Sequence, residues 1–113
     1  MGISTHILDL TKGQPAASVR VVLSILDAKG HWTEKAAAKT DFEGRCRALT
    51  PEDQTVAPGT YRLRFDTGAY FTAQGTQPFF PFVEITFSVT DAAKHYHVPL
   101  LLSPFGYSTY RGS

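Results

Sequence analysis

A single cysteine, Cys46, stands in a chain of 113 residues. That excludes an intramolecular disulfide and any multi-cysteine metal site, so stability must come from packing. Charge of one sign is also missing: eleven Lys and Arg face ten Asp and Glu, for a formal net charge of +1. No overall field exists to draw in nucleic acid or an anionic membrane surface, and both partners are disfavoured. No apolar run approaches the roughly 18–20 residues that a bilayer crossing needs. Residues 1–6 offer neither a basic nor an apolar export segment, so the expected location is cytoplasmic. A G-x-S-x-G elbow is absent, as is any glycine-rich loop opening a helix, which weakens serine-hydrolase and nucleotide-binding readings.

What is present is an ordinary globular balance, 42% hydrophobic and 12% aromatic with 19% charged residues, and the length supports one domain over residues 1–113. Apolar and polar residues alternate with period two in short segments separated by Gly, Pro and Asp, the pattern of an antiparallel β-sandwich or barrel. The fold class is therefore mainly β. Strands are expected over 3–9, 18–27, 32–40, 60–66, 83–90 and 94–102. A turn at Asp41-Phe42-Glu43-Gly44 leads into a short strand over 45–49. Residues 68–77 carry apolar groups at spacings of one, three and four, which predicts one short helix before Pro78. The aromatic loop Phe79-Phe80-Pro81-Phe82 is expected to lid one end of the core or to line an interface.

The segment 94–102 carries the most information. Alternation puts Tyr96, Val98 and Leu100 on one face and His95, His97, Pro99 and Leu101 on the other, so both faces hold bulky groups. One face suits the sandwich core; the other calls for a second subunit. Of the four histidines, His6, His31, His95 and His97, the last two point the same way, and an imidazole with a pKa of ~6.5 suits proton transfer near neutrality. Such an H-x-H pair is also half of a metal site, but no third ligand pattern accompanies it, and no metal is assigned. Arg45 and Arg47 flank Cys46, so both guanidinium groups leave one face of their strand while Cys46 enters the core. An arginine presented by a tight turn suits an oxyanion or a ring carbonyl.

Four motifs occur in order: Thr5-His6-Ile7-Leu8-Asp9 followed by Gly13-Gln14-Pro15-Ala16, Thr40-Asp41-Phe42-Glu43-Gly44-Arg45, His95-Tyr96-His97-Val98-Pro99-Leu100-Leu101-Leu102-Ser103, and the ending Tyr110-Arg111-Gly112-Ser113. Together they resemble the transthyretin family, in its 5-hydroxyisourate hydrolase branch, across nearly the whole chain. The resemblance implies a transthyretin-like β-sandwich of about eight strands, assembled as a homotetramer with active sites at the dimer–dimer interface. It implies hydrolysis of 5-hydroxyisourate to 2-oxo-4-hydroxy-4-carboxy-5-ureidoimidazoline in urate catabolism, with no cofactor. Carried over by position, the catalytic residues would be His6, Arg45 and His97, and the substrate-binding residues Tyr110, Arg111, Gly112 and Ser113. The alternative within the same fold is a carrier that binds a small molecule without chemistry, since fold alone does not fix function.

Overall fold

A computed structural model describes residues 2–47, 49–51 and 55–113. Met1, the first residue of the segment read for export, and Ala48, inside the strand expected over 45–49, lie outside them. Nine strands and one helix are formed among the described residues: β1 (Ile3–Asp9), β2 (Gln14–Pro15), β3 (Arg20–Leu26), β4 (Trp32–Lys39), β5 (Arg45–Cys46), β6 (Gly59–Phe65), α1 (Thr67–Ala73), β7 (Val83–Val89), β8 (Tyr96–Ser103) and β9 (Gly106–Thr109). They build two sheets, as the alternation predicts. One runs β4-β3-β6-β7; the other runs β2-β1-β8-β9, with β5 added beside β2 on the free edge of β1.

The core lies between the sheets. The inward set of each strand is the apolar set of its alternation: Val21 and Leu23 from β3, Tyr61, Leu63 and Phe65 from β6, Val83 and Ile85 from β7, Ile3 and Ile7 from β1, and Val98, Leu100 and Leu102 from β8. Burying each such side chain stabilises the fold by about 1.5–3 kcal/mol before entropy is counted. Cys46 joins them at 3% exposure, and burial pushes its thiol up to about 11, so it packs as a small hydrophobe.

The central pairing for function is that of β1 with β8, which run parallel in register from Ile3 opposite Tyr96 to Asp9 opposite Leu102. Parallel neighbours require a long crossover, and here the whole other sheet is built between them. Strand β5 is shorter than the expected 45–49. Beyond Cys46 the edge of β1 is satisfied otherwise, Ile3 N–H donating to the Thr50 hydroxyl at 3.1 Å.

Helix α1 starts one residue before the expected segment and ends four residues before its expected limit. It stops at Gln74, whose N–H turns back to Phe71, and Gly75 follows at φ +73°, the left-handed geometry common just past a helix end. The aromatic loop is fastened on both sides, with Phe79 N–H donating to the Pro104 carbonyl at 2.8 Å and Gly68 N–H to the Pro81 carbonyl at 3.1 Å. Phe80 packs edge-on against Tyr107 at 5.3 Å, while Phe79 stays 70% exposed. No helix of the described residues is long and apolar enough to cross a membrane.

Candidate active site

The outward face of the β1/β8 sheet is where the histidines gather. Period-two alternation turns Ser4, His6 and Leu8 outward from β1, and His97 and Leu101 outward from β8 with Pro99 between them buried, while their neighbours fill the core. Register then sets Ser4 beside His97 and His6 beside Pro99 on one flank, and His6 beside Arg45 on the other. Three chain segments distant in sequence thus bring His6, Arg45 and His97 onto one surface.

Arg45 owes its place to the turn before it. Asp41 Oδ1 accepts the backbone N–H groups of Glu43 and Arg45, each at 2.9 Å, and Gly44 N–H donates to the Asp41 carbonyl at 2.9 Å. Those bonds, the one from Arg45 foremost, hold the Asp41 carboxyl below the usual carboxylate range. Gly44 has φ +78°, and its α-carbon faces the Ile7 carbonyl and Ala16 with no space for a side chain, so only glycine suits this turn. Ile7 N–H donates back to the Gly44 carbonyl at 2.8 Å. The turn is thereby clamped onto β1, and the Glu43 carbonyl meets His6 Nε2 at 2.9 Å.

Arg45 and Arg47 share a cleft of about 450 Å³ with Ser4, His95, His97 and Ser113. Arg47 is engaged by Glu43 at 3.0 Å; Arg45 has no acidic partner among the described residues, and its charge is available to a ligand. Burial, then the neighbouring charges of Arg45, His6 and His95, hold His97 below the ordinary imidazole value of 6.5. It is neutral at pH 7. His31 lies elsewhere, in the β3–β4 turn beside Asp27 at 3.9 Å. No group of three or more His, Cys, Asp or Glu stands close enough to hold a metal ion among the described residues.

The four C-terminal residues divide. Gly112 N–H donates to the His97 carbonyl at 2.9 Å, bridging the chain end to β8 on the side away from β1. A Cβ on Gly112 would lie 2.5 Å from His97 Cδ2, so the glycine packs flat against the imidazole edge. Ser113 lines the same cleft as Arg45. Tyr110 and Arg111 turn instead toward a second cleft of about 230 Å³ on the other side of His97, with Ile85, Phe87 and Tyr96. There the Arg111 guanidinium lies 4.6 Å over the Tyr96 ring. Sequence reasoning missed Ser4, whose hydroxyl stands between His95 and His97 at 2.8 and 2.9 Å. The available signal was its spacing of two from His6 on the same expected strand.

The profile of the HIUase/Transthyretin family matches residues 3–112. A 5-hydroxyisourate hydrolase of Salmonella dublin is 49% identical over 98% of this chain and 80% of its own length. One from Caulobacter vibrioides is 47% identical over 99% and 98%. Among solved structures, transthyretin from Sparus aurata superposes with a TM-score of 0.91 at 41% identity, covering 97% of this chain and 95% of that one. The 5-hydroxyisourate hydrolase of Klebsiella pneumoniae gives 0.86 at 37% identity, covering 98% of both.

Proposed function

The chain belongs to the HIUase/Transthyretin family, and on that premise we propose that it hydrolyses 5-hydroxyisourate, opening the six-membered ring to give 2-oxo-4-hydroxy-4-carboxy-5-ureidoimidazoline. The observation that carries the reading is the convergence of His6, Arg45 and a neutral His97 on one sheet face, beside a cleft lined by Arg45, His97 and the terminal Ser113. Carrier and hydrolase share this sandwich, so the reading rests on the side chains and on the relatives that bear the hydrolase name.

Opening a ring amide with water needs a base for the water proton, a stabiliser for the carbonyl oxygen as it becomes anionic, and a proton for the departing nitrogen. Two imidazoles, His6 and His97, and the permanently charged Arg45 guanidinium meet that demand. Arg45 offers a fixed fork to the polarised carbonyl, Ser113 lines the cleft beside it, and Gly112 holds the chain end against His97. The working species in this reading is a homotetramer with sites at the dimer–dimer interface, supported by the outward location of the cleft, which a second copy would cover. The proposed compartment is the cytoplasm, checked by cell fractionation.

The direct test is to generate 5-hydroxyisourate from urate with urate oxidase and follow its ultraviolet decay. The protein is expected to accelerate that decay at micromolar concentration or below. Saturable binding of the substrate with no acceleration would assign the chain to the carrier class instead.

A further inference from the structure

An unbroken chain of hydrogen bonds runs through Ser4, His95 and His97, which line the cleft. Gly2 N–H reaches His95 Nδ1 at 3.3 Å, His95 Nε2 lies 2.8 Å from Ser4 Oγ, and Ser4 Oγ lies 2.9 Å from His97 Nδ1. Its polarity follows from its first member. A backbone N–H donates and cannot accept, so His95 Nδ1 is an acceptor. A neutral imidazole has one N–H, which His95 must then carry on Nε2 and give to Ser4 Oγ. The Ser4 hydroxyl, already accepting, turns its own hydrogen to His97 Nδ1, and His97 is left with its proton on Nε2. The reverse polarity would set a hydrogen on His95 Nδ1 against the one on Gly2. Gly2 is itself fixed, since its carbonyl accepts Tyr96 N–H at 2.8 Å.

We propose that Ser4 and His95 are positioning residues that lock His97 in the Nε2–H tautomer, so that His97 serves hydrolysis as a neutral hydrogen-bond donor to the carbonyl oxygen while His6 is the base. The catalytic half rests on the hydrolase reading; the tautomer does not. Packing supports the orientation: Nδ1 is held by Ser4 and the Cδ2 edge by Gly112, which leaves Nε2 as the nitrogen for the cleft shared with Arg45. His6 has the same Nε2–H arrangement, but that hydrogen is engaged by the protein itself. Its Nε2 must donate to the Glu43 carbonyl, because a carbonyl oxygen only accepts, so the nitrogen left to take a proton is Nδ1.

The reaction then balances without ionising His97. The water oxygen bonds to the carbonyl carbon as the water proton passes to His6 Nδ1, and the carbonyl oxygen takes up negative charge facing Arg45 and His97 Nε2–H. As that oxygen re-forms the double bond, the C–N bond breaks and His6 returns its proton to the departing nitrogen. The new carboxylic acid loses its proton to solvent. Were His97 to surrender its Nε2 proton it would become an imidazolate, a species far too basic to form at neutral pH.

The test combines two-bond ¹H–¹⁵N correlation spectra of the ¹⁵N-histidine-labelled protein, at a pH about 8 where imidazoles are neutral, with steady-state kinetics on 5-hydroxyisourate. His95 and His97 are both expected to give the Nε2–H pattern. Ser4→Ala is expected to convert His97 to a tautomer mixture and to lower kcat about tenfold with KM little changed, the size of one neutral hydrogen bond; Ser4→Thr, which keeps the hydroxyl, is expected to restore both. An Nδ1–H pattern at His97, or a His97 pattern unchanged in Ser4→Ala, would overturn the lock. The expected spectra from a protein that does not hydrolyse the substrate would uphold the lock and sink the hydrolase reading. Hydrolysis with the wrong tautomer would do the reverse.

Discussion

His97 meets four constraints at once: a hydroxyl at Nδ1, a glycine against its ring edge, an arginine nearby and partial burial. A side chain so held is preorganised, and a donor aimed at a developing oxyanion is worth about 10²–10³ in rate. His97→Asn is accordingly expected to lower kcat/KM by that range while the far-ultraviolet circular dichroism is retained. The titration has a definite sign. The unfolded chain binds the His97 proton near 6.5 and the folded chain resists it, so the unfolded state holds more protons below that pH and stability falls as pH drops through 6.5. The melting temperature of the wild type should fall between pH 7.5 and 5.5 (values about one unit either side of the imidazole pKa), and His97→Asn should show a shallower fall. Asp41, whose carboxyl is depressed, acts in a separate, more acidic window. An equal slope in the variant would remove His97 as the source. At this scale the sequence was partly legible. Alternation sets His95 with His97, and Arg45 with Arg47, on common faces. Ser4 was not legible, because its role depends on a parallel register that joins positions 93 apart.

Among the elements, the longer strands were legible because one face of each is buried, so hydrophobic alternation and structure coincide. Strand Ile3–Asp9 agrees at both ends, and β3, β4, β6 and β7 agree within one or two residues. Strands β2 and β9 were not expected. The first has two residues, both exposed, and the second has four with no buried position, so neither carries a periodic signal. Yet β9 matters to the site, since it runs antiparallel to β8 from Gly106 to Thr109 and delivers the chain end back across His97. That delivery depends on the lack of a side chain at Gly112. With a Cβ 2.5 Å from His97 Cδ2, Gly112→Ala forces either the imidazole to rotate off the Ser4 bond or the terminal segment to lift away. Displacements of that order cost about 10² in rate when they misplace a catalytic group. We expect a comparable loss of kcat/KM with a melting temperature within a few degrees of wild type, because a chain end adds few core contacts. Unchanged kinetics in Gly112→Ala would mean that the terminus does not hold the ring.

At the level of the whole molecule, the sandwich solves only half of its own burial problem. The inner faces of both sheets are filled, but the outer face of the β1/β8 sheet presents half-buried Leu8, Leu101, His6 and His97, the last lining an open cleft. A guanidinium acts far more strongly on a carbonyl when water is excluded, so a site left open on one subunit would forfeit much of what Arg45 offers. A second copy of the same face supplies the missing cover under the two-fold symmetry that most assemblies use, and a net charge of +1 does little to oppose association. Static light scattering at micromolar concentration is therefore expected to give the mass of four chains. Leu101→Glu, which sets a carboxylate on the outer face without touching the core, is expected to shift the protein to smaller species, keep the β-sheet circular dichroism and depress activity in proportion to the tetramer lost. Concentration dependence separates the causes: activity recovering as the variant is concentrated ties the loss to assembly, whereas a monomer that turns over substrate at the wild-type rate would show that one subunit holds a complete site.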